Sequence, residues 1–402
     1  MAGKLYKNFL RNYYLSFSLY DLVFAYAVYA VLFSMRGLSV PQISLLFSWW
    51  ALAKLLLEIP SGALADYWSR KKLLIISPLI KAICFIVWFF ADGNFYLYAL
   101  GLLFWSLSSA FVSGTTEALL YDNLVSFDKK NKYEEIFGRK RFYKFVALAM
   151  ANVFGGLIAH YNINWTLTFS TIPLLLASYF AILLPEVPRV KSTEEVRYLE
   201  HIKTAYKEVK RNKILVYLIA YSAAISFFGS VVEFNQLYYE LVNLPLFLFG
   251  VAEFLWTALV AIGSYYAYKF SQSSTVYFLL PLLSAFLFLF IGLAPSVPMI
   301  GLLILIFFIS SPLEVLTNSK IQHNIKSTSR ATVTSVNALL VSLFSVVSML
   351  VFGLISKIWN LQAIYFSSSL FLAMVAAWTV MKRKLFLEIK GVSLYGHSGQ
   401  QK

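Results

Sequence analysis

The chain has 402 residues, of which 59% are hydrophobic and 13% charged, and its mean hydropathy is +0.70. A water-soluble domain carries about a quarter of its residues as charge, so this balance excludes an ordinary soluble enzyme and indicates a chain built for lipid. The net charge of +15 would suit nucleic acid, but the placement of the basic residues assigns it to topology instead.

Crossing a bilayer takes roughly 20 helical residues. Apolar runs of that length are expected at 11–35, 41–65, 73–91, 95–125, 134–160, 164–184, 213–240, 246–268, 275–294, 298–318, 330–357 and 360–381. Alternation with a period of two, the mark of a membrane barrel, is missing, so the backbone must satisfy its hydrogen bonds within helices. The expected fold class is an all-α membrane protein of twelve helices in two six-helix halves. "MAGKLYKNFLRNYY" leads straight into a helix too long for a signal sequence, so the first helix is expected to be kept. Cys84 is the single cysteine, which excludes an intrachain disulfide and a thiol cluster.

Of the 34 Lys and Arg, only Arg36 and Lys357 fall in the odd-numbered loops, and only Lys54 and Lys81 fall deep in spans. The rest crowd the termini and the even-numbered loops, which places both termini in the cytoplasm. The longest polar stretch separates six spans from six. Expected domains are 1–185, a first six-helix bundle, and 213–383, a second, with a linker at 186–212 and a cytoplasmic tail at 384–402. In the linker Ser192 and Glu195 form a capping-box pattern. Val196, Leu199, Ile202, Tyr206 and Val209 then recur at helical spacing, reading either as an amphipathic helix on anionic lipid or as a solvated linker helix. Three pairs about 200 residues apart favour an internal repeat: "VFGGLIA" at 153–159 with "VFGLIS" at 351–356, Glu117 with Glu314, and Gly62 with Gly263.

"GALADYWSRKK", at the end of the second span, sets an acid and then three bases against an apolar helix. Asp66 at a helix end can accept from the amides of a neighbouring helix start, while Arg70 and Lys71 bind carbonyl ends or lipid phosphate. With Gly62 permitting close helix approach, these residues form a candidate conformational latch. A plain positive-inside anchor would explain the bases but not Asp66. Gly62, Leu64, Asp66, Arg70 and Lys71 resemble the G-x-L-x-D-x-x-x-R-K signature of the major facilitator superfamily, at the place where that family carries it. In the second half Ala267 and Ser271 stand where Asp66 and Arg70 would fall, so that copy has decayed.

Ionisable residues within spans are costly and mark function by default. Here they are Asp21, Lys54, Glu58, Lys81, Glu117, Glu233, Glu253 and Glu314. The resemblance implies that helices one, four, seven and ten line a central cavity, and Asp21, Glu117, Glu233 and Glu314 fall one on each. Asp21 and Glu233 lie deepest, where a carboxyl in an apolar, half-wet cavity can take up and release a proton, and Asp21 is preferred for its midplane position. Glu117 and Glu314 lie nearer the cytoplasmic ends, as substrate contacts, gates or packing groups. "EFNQLYYE" adds Asn235, Gln236, Tyr238 and Tyr239 as polar groups able to orient a small molecule. Lys54 and Glu58 are spaced for an ion pair along one helix face. Lys81 is expected to snorkel or to pair with Asp21. Trp49 and Trp50 read as packing rather than as a substrate platform.

His160, His201, His323 and His397 give no metal spacing, and no phosphate-binding G-x-x-x-x-G-K-[ST] is present. No metal and no cofactor are expected, and energy must come from a gradient. The leading reading is a monomeric secondary transporter in the cytoplasmic (inner) membrane, proton-coupled, that moves a small organic molecule by alternating access. Drug exporters of the resembled family carry a Gly-Pro-rich motif on helix five and an Arg on helix four, and both are missing here. The aromatic cavity helices nevertheless favour efflux of an amphipathic compound. Uptake of a nutrient or siderophore-like chelate is the alternative, and a non-transporting scaffold or receptor a second. An enzyme is not expected, since no nucleophile and base pair occurs.

Overall fold

The computed structural model describes residues 2–113, 115–186, 209, 212–270, 273–325 and 330–382; the side chains at 2, 59, 62, 63, 65–67 and 330–332 lie outside that description. The 192–209 amphipathic segment, Ser271 and the tail at 384–402 therefore fall almost wholly outside the described residues. Among the described residues every regular element is helical, and 12 helical spans are long and apolar enough to cross a membrane. The expected all-α class holds.

In chain order the first eight helices are α1 (Ala2–Asp21), α2 (Tyr29–Met35), α3 (Val40–Tyr67), α4 (Arg70–Phe89), α5 (Phe95–Val112), α6 (Thr115–Ser126), α7 (Tyr133–Tyr161) and α8 (Ile163–Ile182). After the linker come α9 (Lys213–Ile225), α10 (Phe227–Val232), α11 (Asn235–Leu241), α12 (Leu246–Tyr265), α13 (Val276–Leu293), α14 (Met299–His323), α15 (Arg330–Ile358) and α16 (Gln362–Met381). Helix starts follow local chemistry. Asn94 accepts from the Tyr96 and Leu97 amides to open α5, Asn212 does the same for Ile214 and Leu215 at α9, and Ser69 accepts from Lys72 at α4. Three of the twelve expected spans are interrupted. The fourth is split into α5 and α6, the first by a 3-10 turn at Phe24–Ala27 between α1 and α2, and the seventh into α9, α10 and α11.

Contacts divide the chain into two compact units. The first comprises Met1–Glu195 with Ser230–Thr257 and Ser345–Leu361; the second comprises Val196–Gly229, Ala258–Phe344 and Gln362–Lys402. In the first unit α4 packs on α5 and α8, α3 on α5, and α1 on α7 and α8. Its core near the N-terminus joins Phe9, Tyr13 and Phe17 of α1 to Leu119, Leu120 and Leu124 of α6. In the second unit α13 packs on α14 and α16, and α9 on α14, with the Tyr221 hydroxyl donating to the Tyr277 carbonyl at 2.9 Å.

Ser230–Thr257 and Ser345–Leu361, expected by sequence in the second bundle, pack with the first six spans inside the first unit. Small residues make this possible. A Cβ on Gly156 would stand 2.7 Å from the Gly250 amide nitrogen, and one on Gly250 would stand 2.1 Å from the Asn152 carbonyl, so α7 and α12 touch backbone to backbone. The Ser44 hydroxyl donates to the Met349 carbonyl, joining α3 to α15.

Candidate functional site

The site grows from the break in the first span. Residues 19–30 read "LYDLVFAYAVYA", without Gly or Pro, so nothing local obliges α1 to end at Asp21. Distant side chains take up the backbone groups that the break frees. Lys81 on α4 donates to the Tyr20 carbonyl at 3.1 Å, and Ser170 on α8 accepts from the Ala25 amide at 3.1 Å. Gln236 on α11 closes both sides, its amide nitrogen donating to the Tyr26 carbonyl and its oxygen accepting from the Ala30 amide, each at 2.8 Å. Irregular backbone at membrane depth survives only where protein satisfies it in this way. The chain also needs room, and Gly155 supplies it: a Cβ there would lie 2.1 Å from the Phe24 carbonyl oxygen.

Lys81 neither snorkels nor pairs with Asp21. It is 1% exposed, also donates to the Tyr26 hydroxyl at 2.6 Å, and lies 3.8 Å from the centre of the Tyr20 ring. Asp21 pairs instead with Lys144 of α7 at 3.5 Å.

Beside this break is a cavity of about 210 Å³ within the first unit. Its walls carry five large aromatic side chains with hydrogen-bonding tips, Tyr26, Tyr29, Trp50, Trp105 and Trp256, together with Asn152, Gln236, Glu233 and Glu253. None of the lining side chains is basic. Trp105 of α5 organises the rings: Tyr26 stacks on it at 5.3 Å, Tyr29 meets it edge-on at 5.8 Å and Trp50 is tilted at 5.9 Å. Glu233 sits at the second break, between α10 and α11, and accepts from the Tyr29 hydroxyl. Glu253, 6% exposed on α12, accepts from the Trp256 indole one turn on. Both carboxyls line the same cavity.

Of the residues expected at the site, Glu233 and Gln236 line this cavity. Asn235 does not; its side chain is fully buried and its amide has no partner among the described residues. Tyr238 is fully buried and does not line the cavity. Asp21 stands outside the cavity, Glu117 is exposed on α6, and Glu314 is exposed on α14 in the second unit. Of the latch residues, Arg70 forms an ion pair with Asp122 of α6, and Lys71 is half-buried. Gly62 and Asp66 lie in helical backbone, but their side chains are outside the described residues. Lys54 and Glu58, spaced for a pair, are both exposed and form none.

Sequence reasoning left Glu253 without a role and set Trp50 aside as packing. Trp49 does pack, its indole donating to the Ala99 carbonyl at 3.0 Å, while Trp50 faces the cavity. The signal for Glu253 lay in "EFLWT": a carboxyl in an apolar run with Trp256 and Thr257 one helical turn on.

Residues 13–349 match the family described as the Major Facilitator Superfamily. No curated protein matches the chain. Among solved structures, the nucleoside transporter NupG superposes with a TM-score of 0.73 at 15% identity, covering 96% of this chain and 98% of its own. A bacterial homologue of the human lysosomal transporter Spinster, in an inward-facing and unoccupied conformation, gives 0.73 at 16% identity, covering 98% and 99%. The xylose transporter XylE from E. coli, in an inward-open conformation, gives 0.67 at 11%, covering 94% and 96%. At such identities these likenesses speak for the fold alone. The family match spans most of the chain, and with 12 helical spans of membrane length among the described residues the protein belongs to the Major Facilitator Superfamily.

Proposed function

We propose that the protein is a proton-coupled secondary transporter that moves a small organic molecule by alternating access, with export favoured, and that Glu233 carries the coupling proton. The family and fold support transport of the secondary kind. The single observation that carries the coupling is the position of Glu233. It stands at a helix break, lines an aromatic cavity, and has a neutral hydroxyl rather than a base as its partner. A carboxyl desolvated without a counter-charge exchanges its proton instead of keeping its charge. Asp21, the preferred group on sequence, is a weaker candidate because Lys144 already balances it outside the cavity.

The bias of Lys and Arg supports a cytoplasmic-membrane protein with both termini inside. The aromatic lining supports an amphipathic cargo and hence export.

The test uses purified protein in sealed vesicles, with a compound first chosen because it raises the melting temperature of the protein. Glu233→Gln should abolish accumulation driven by a pH gradient while leaving one-for-one exchange of the compound at saturating concentration, because exchange needs no step in which the proton binds or leaves. Asp21→Asn should keep gradient-driven accumulation. The reverse pattern would move the coupling to Asp21. Accumulation that survives in both variants would move the coupling to another group.

A further inference from the structure

We infer that the cavity selects a monovalent organic cation, an ammonium on a small aryl or alkyl body, and that this cation displaces a proton from one of its two acids, Glu233 and Glu253. The inference rests on the transporter reading above and names the chemical class of its cargo.

Charge comes first. Two carboxyls share one cavity, no basic side chain lines it, and each carboxyl is met by a neutral donor, a tyrosine hydroxyl or an indole. An ionised carboxylate out of water must be balanced by a proton or by a cation, and here the protein supplies no cation. An anionic cargo would meet two acids and no base. A neutral cargo would leave the second acid, Glu253, without a function that an amide could not perform.

The walls decide what kind of cation fits. Rings of Tyr and Trp present negative faces that attract ammonium groups, most of all quaternary ones that cannot spend hydrogen bonds on water. The interlocked Tyr26, Tyr29, Trp50 and Trp105 rings form such a surface, and the volume of about 210 Å³ suits a body of about a dozen heavy atoms. A small metal ion would need several oxygen ligands at short range, and among the described residues no cluster of three or more acids, histidines or cysteines occurs.

Among the described residues the titratable side chains that line the cavity are the two carboxyls, Tyr26 and Tyr29, and the Tyr29 hydroxyl donates to Glu233. Lys81 of α4 approaches the Trp105 ring at 5.7 Å but does not line the cavity, and its ammonium is bound to the Tyr20 carbonyl and the Tyr26 hydroxyl. Loading proceeds as a simple exchange: the cation enters, one carboxyl releases its proton to water, and the charge of the cavity is unchanged. Protons and cargo therefore compete, which is the condition for antiport.

Calorimetry on the full-length protein in detergent would test this, with benzyltrimethylammonium as the probe and neopentylbenzene, its neutral carbon isostere, as the comparison. We expect saturable binding of the cation only, with release of about one proton. Where that proton titrates, affinity should weaken about tenfold for each unit fall in pH. Glu233→Gln and Glu253→Gln should each weaken binding tenfold or more. Trp105→Leu, which leaves both acids in place, should weaken it as well and guards against a glutamine variant that fails to fold. Equal binding of neopentylbenzene, or indifference to all three substitutions, would overturn the cation assignment and leave the proton coupling of Glu233 standing. Cation binding without proton release would overturn the exchange and the coupling together.

Discussion

Two lysines are buried in membrane-length helices, and the protein holds them in different ways. Lys81, in the first unit, reaches from α4 into the broken backbone of the first span, where it bonds a carbonyl and a hydroxyl and covers the Tyr20 ring. Lys320, in the second unit, is 8% exposed and stands in the last turn of α14, over the Tyr277 ring at 4.8 Å. A cation in the last turn of a helix is stabilised by the carbonyl ends around it. Lys320 thus stands at the end of its own helix, against a ring of α13. Lys81 serves another helix, one that would otherwise expose unsatisfied backbone in the middle of the membrane. Lys81 is therefore tied to a break beside a cavity.

The largest expected effect tests whether that break is tightly built. Gly155→Ala would place a methyl 2.1 Å from the Phe24 carbonyl oxygen, and because the obstacle is backbone the strand of chain between α1 and α2 must move. Overpacking of this kind should cost about 3 kcal/mol or more, read as a lower melting temperature in detergent. Gly301→Ala on α14, with nothing within 4 Å of its added methyl, is the control and should be neutral or stabilising by up to about 1 kcal/mol. Equal behaviour of the two variants would mean that the break is loose.

A smaller effect separates the two lysines directly. Removing Lys81 alone has two opposed consequences, since it orphans two acceptors and also relieves a desolvated charge, so a double-mutant cycle is the right measurement. Lys81→Met and Tyr26→Phe should couple by about 1.5–3 kcal/mol, the worth of a hydrogen bond to a charged group. Lys320→Met and Tyr277→Phe should couple by less than about 0.5 kcal/mol, because phenylalanine keeps the ring that faces the ammonium. Similar coupling in both pairs would erase the contrast.

The helical class and the number of spans were legible because each span must be apolar along its whole length, and hydropathy reads that directly. Glu233 and Gln236 were legible for the complementary reason, as polar groups in an apolar run. The break at Asp21–Val28 was not. It contains no Gly or Pro, and the side chains that stabilise it, Lys81, Ser170 and Gln236, lie 61, 145 and 210 residues away in sequence from their backbone partners. Trp50 was hidden by abundance: with aromatic residues at 18% of the chain, composition cannot distinguish a cavity ring from a packing ring. Lys54 and Glu58 misled in the opposite direction, since helical spacing permits a pair without requiring one.

The smallest effect concerns Asp21, and its smallness is the point. Asp21 is the one acid of the first span, and by depth alone it should be a proton carrier. Its carboxylate is only 16% exposed, yet it meets the half-exposed ammonium of Lys144 at 3.5 Å, long for a charge-assisted bond. A pair with one end in solvent contributes little, so Asp21→Asn should cost less than about 1 kcal/mol in detergent unfolding, and Lys144→Met about the same. Neither change touches the Lys81 clamp, whose acceptors are the Tyr20 carbonyl and the Tyr26 hydroxyl, so the Lys81–Tyr26 coupling should be unaltered in the Asp21→Asn background. If that coupling collapses instead, Asp21 holds Lys81 in place through space, and the first span's charge network is a single unit rather than a pair beside a clamp.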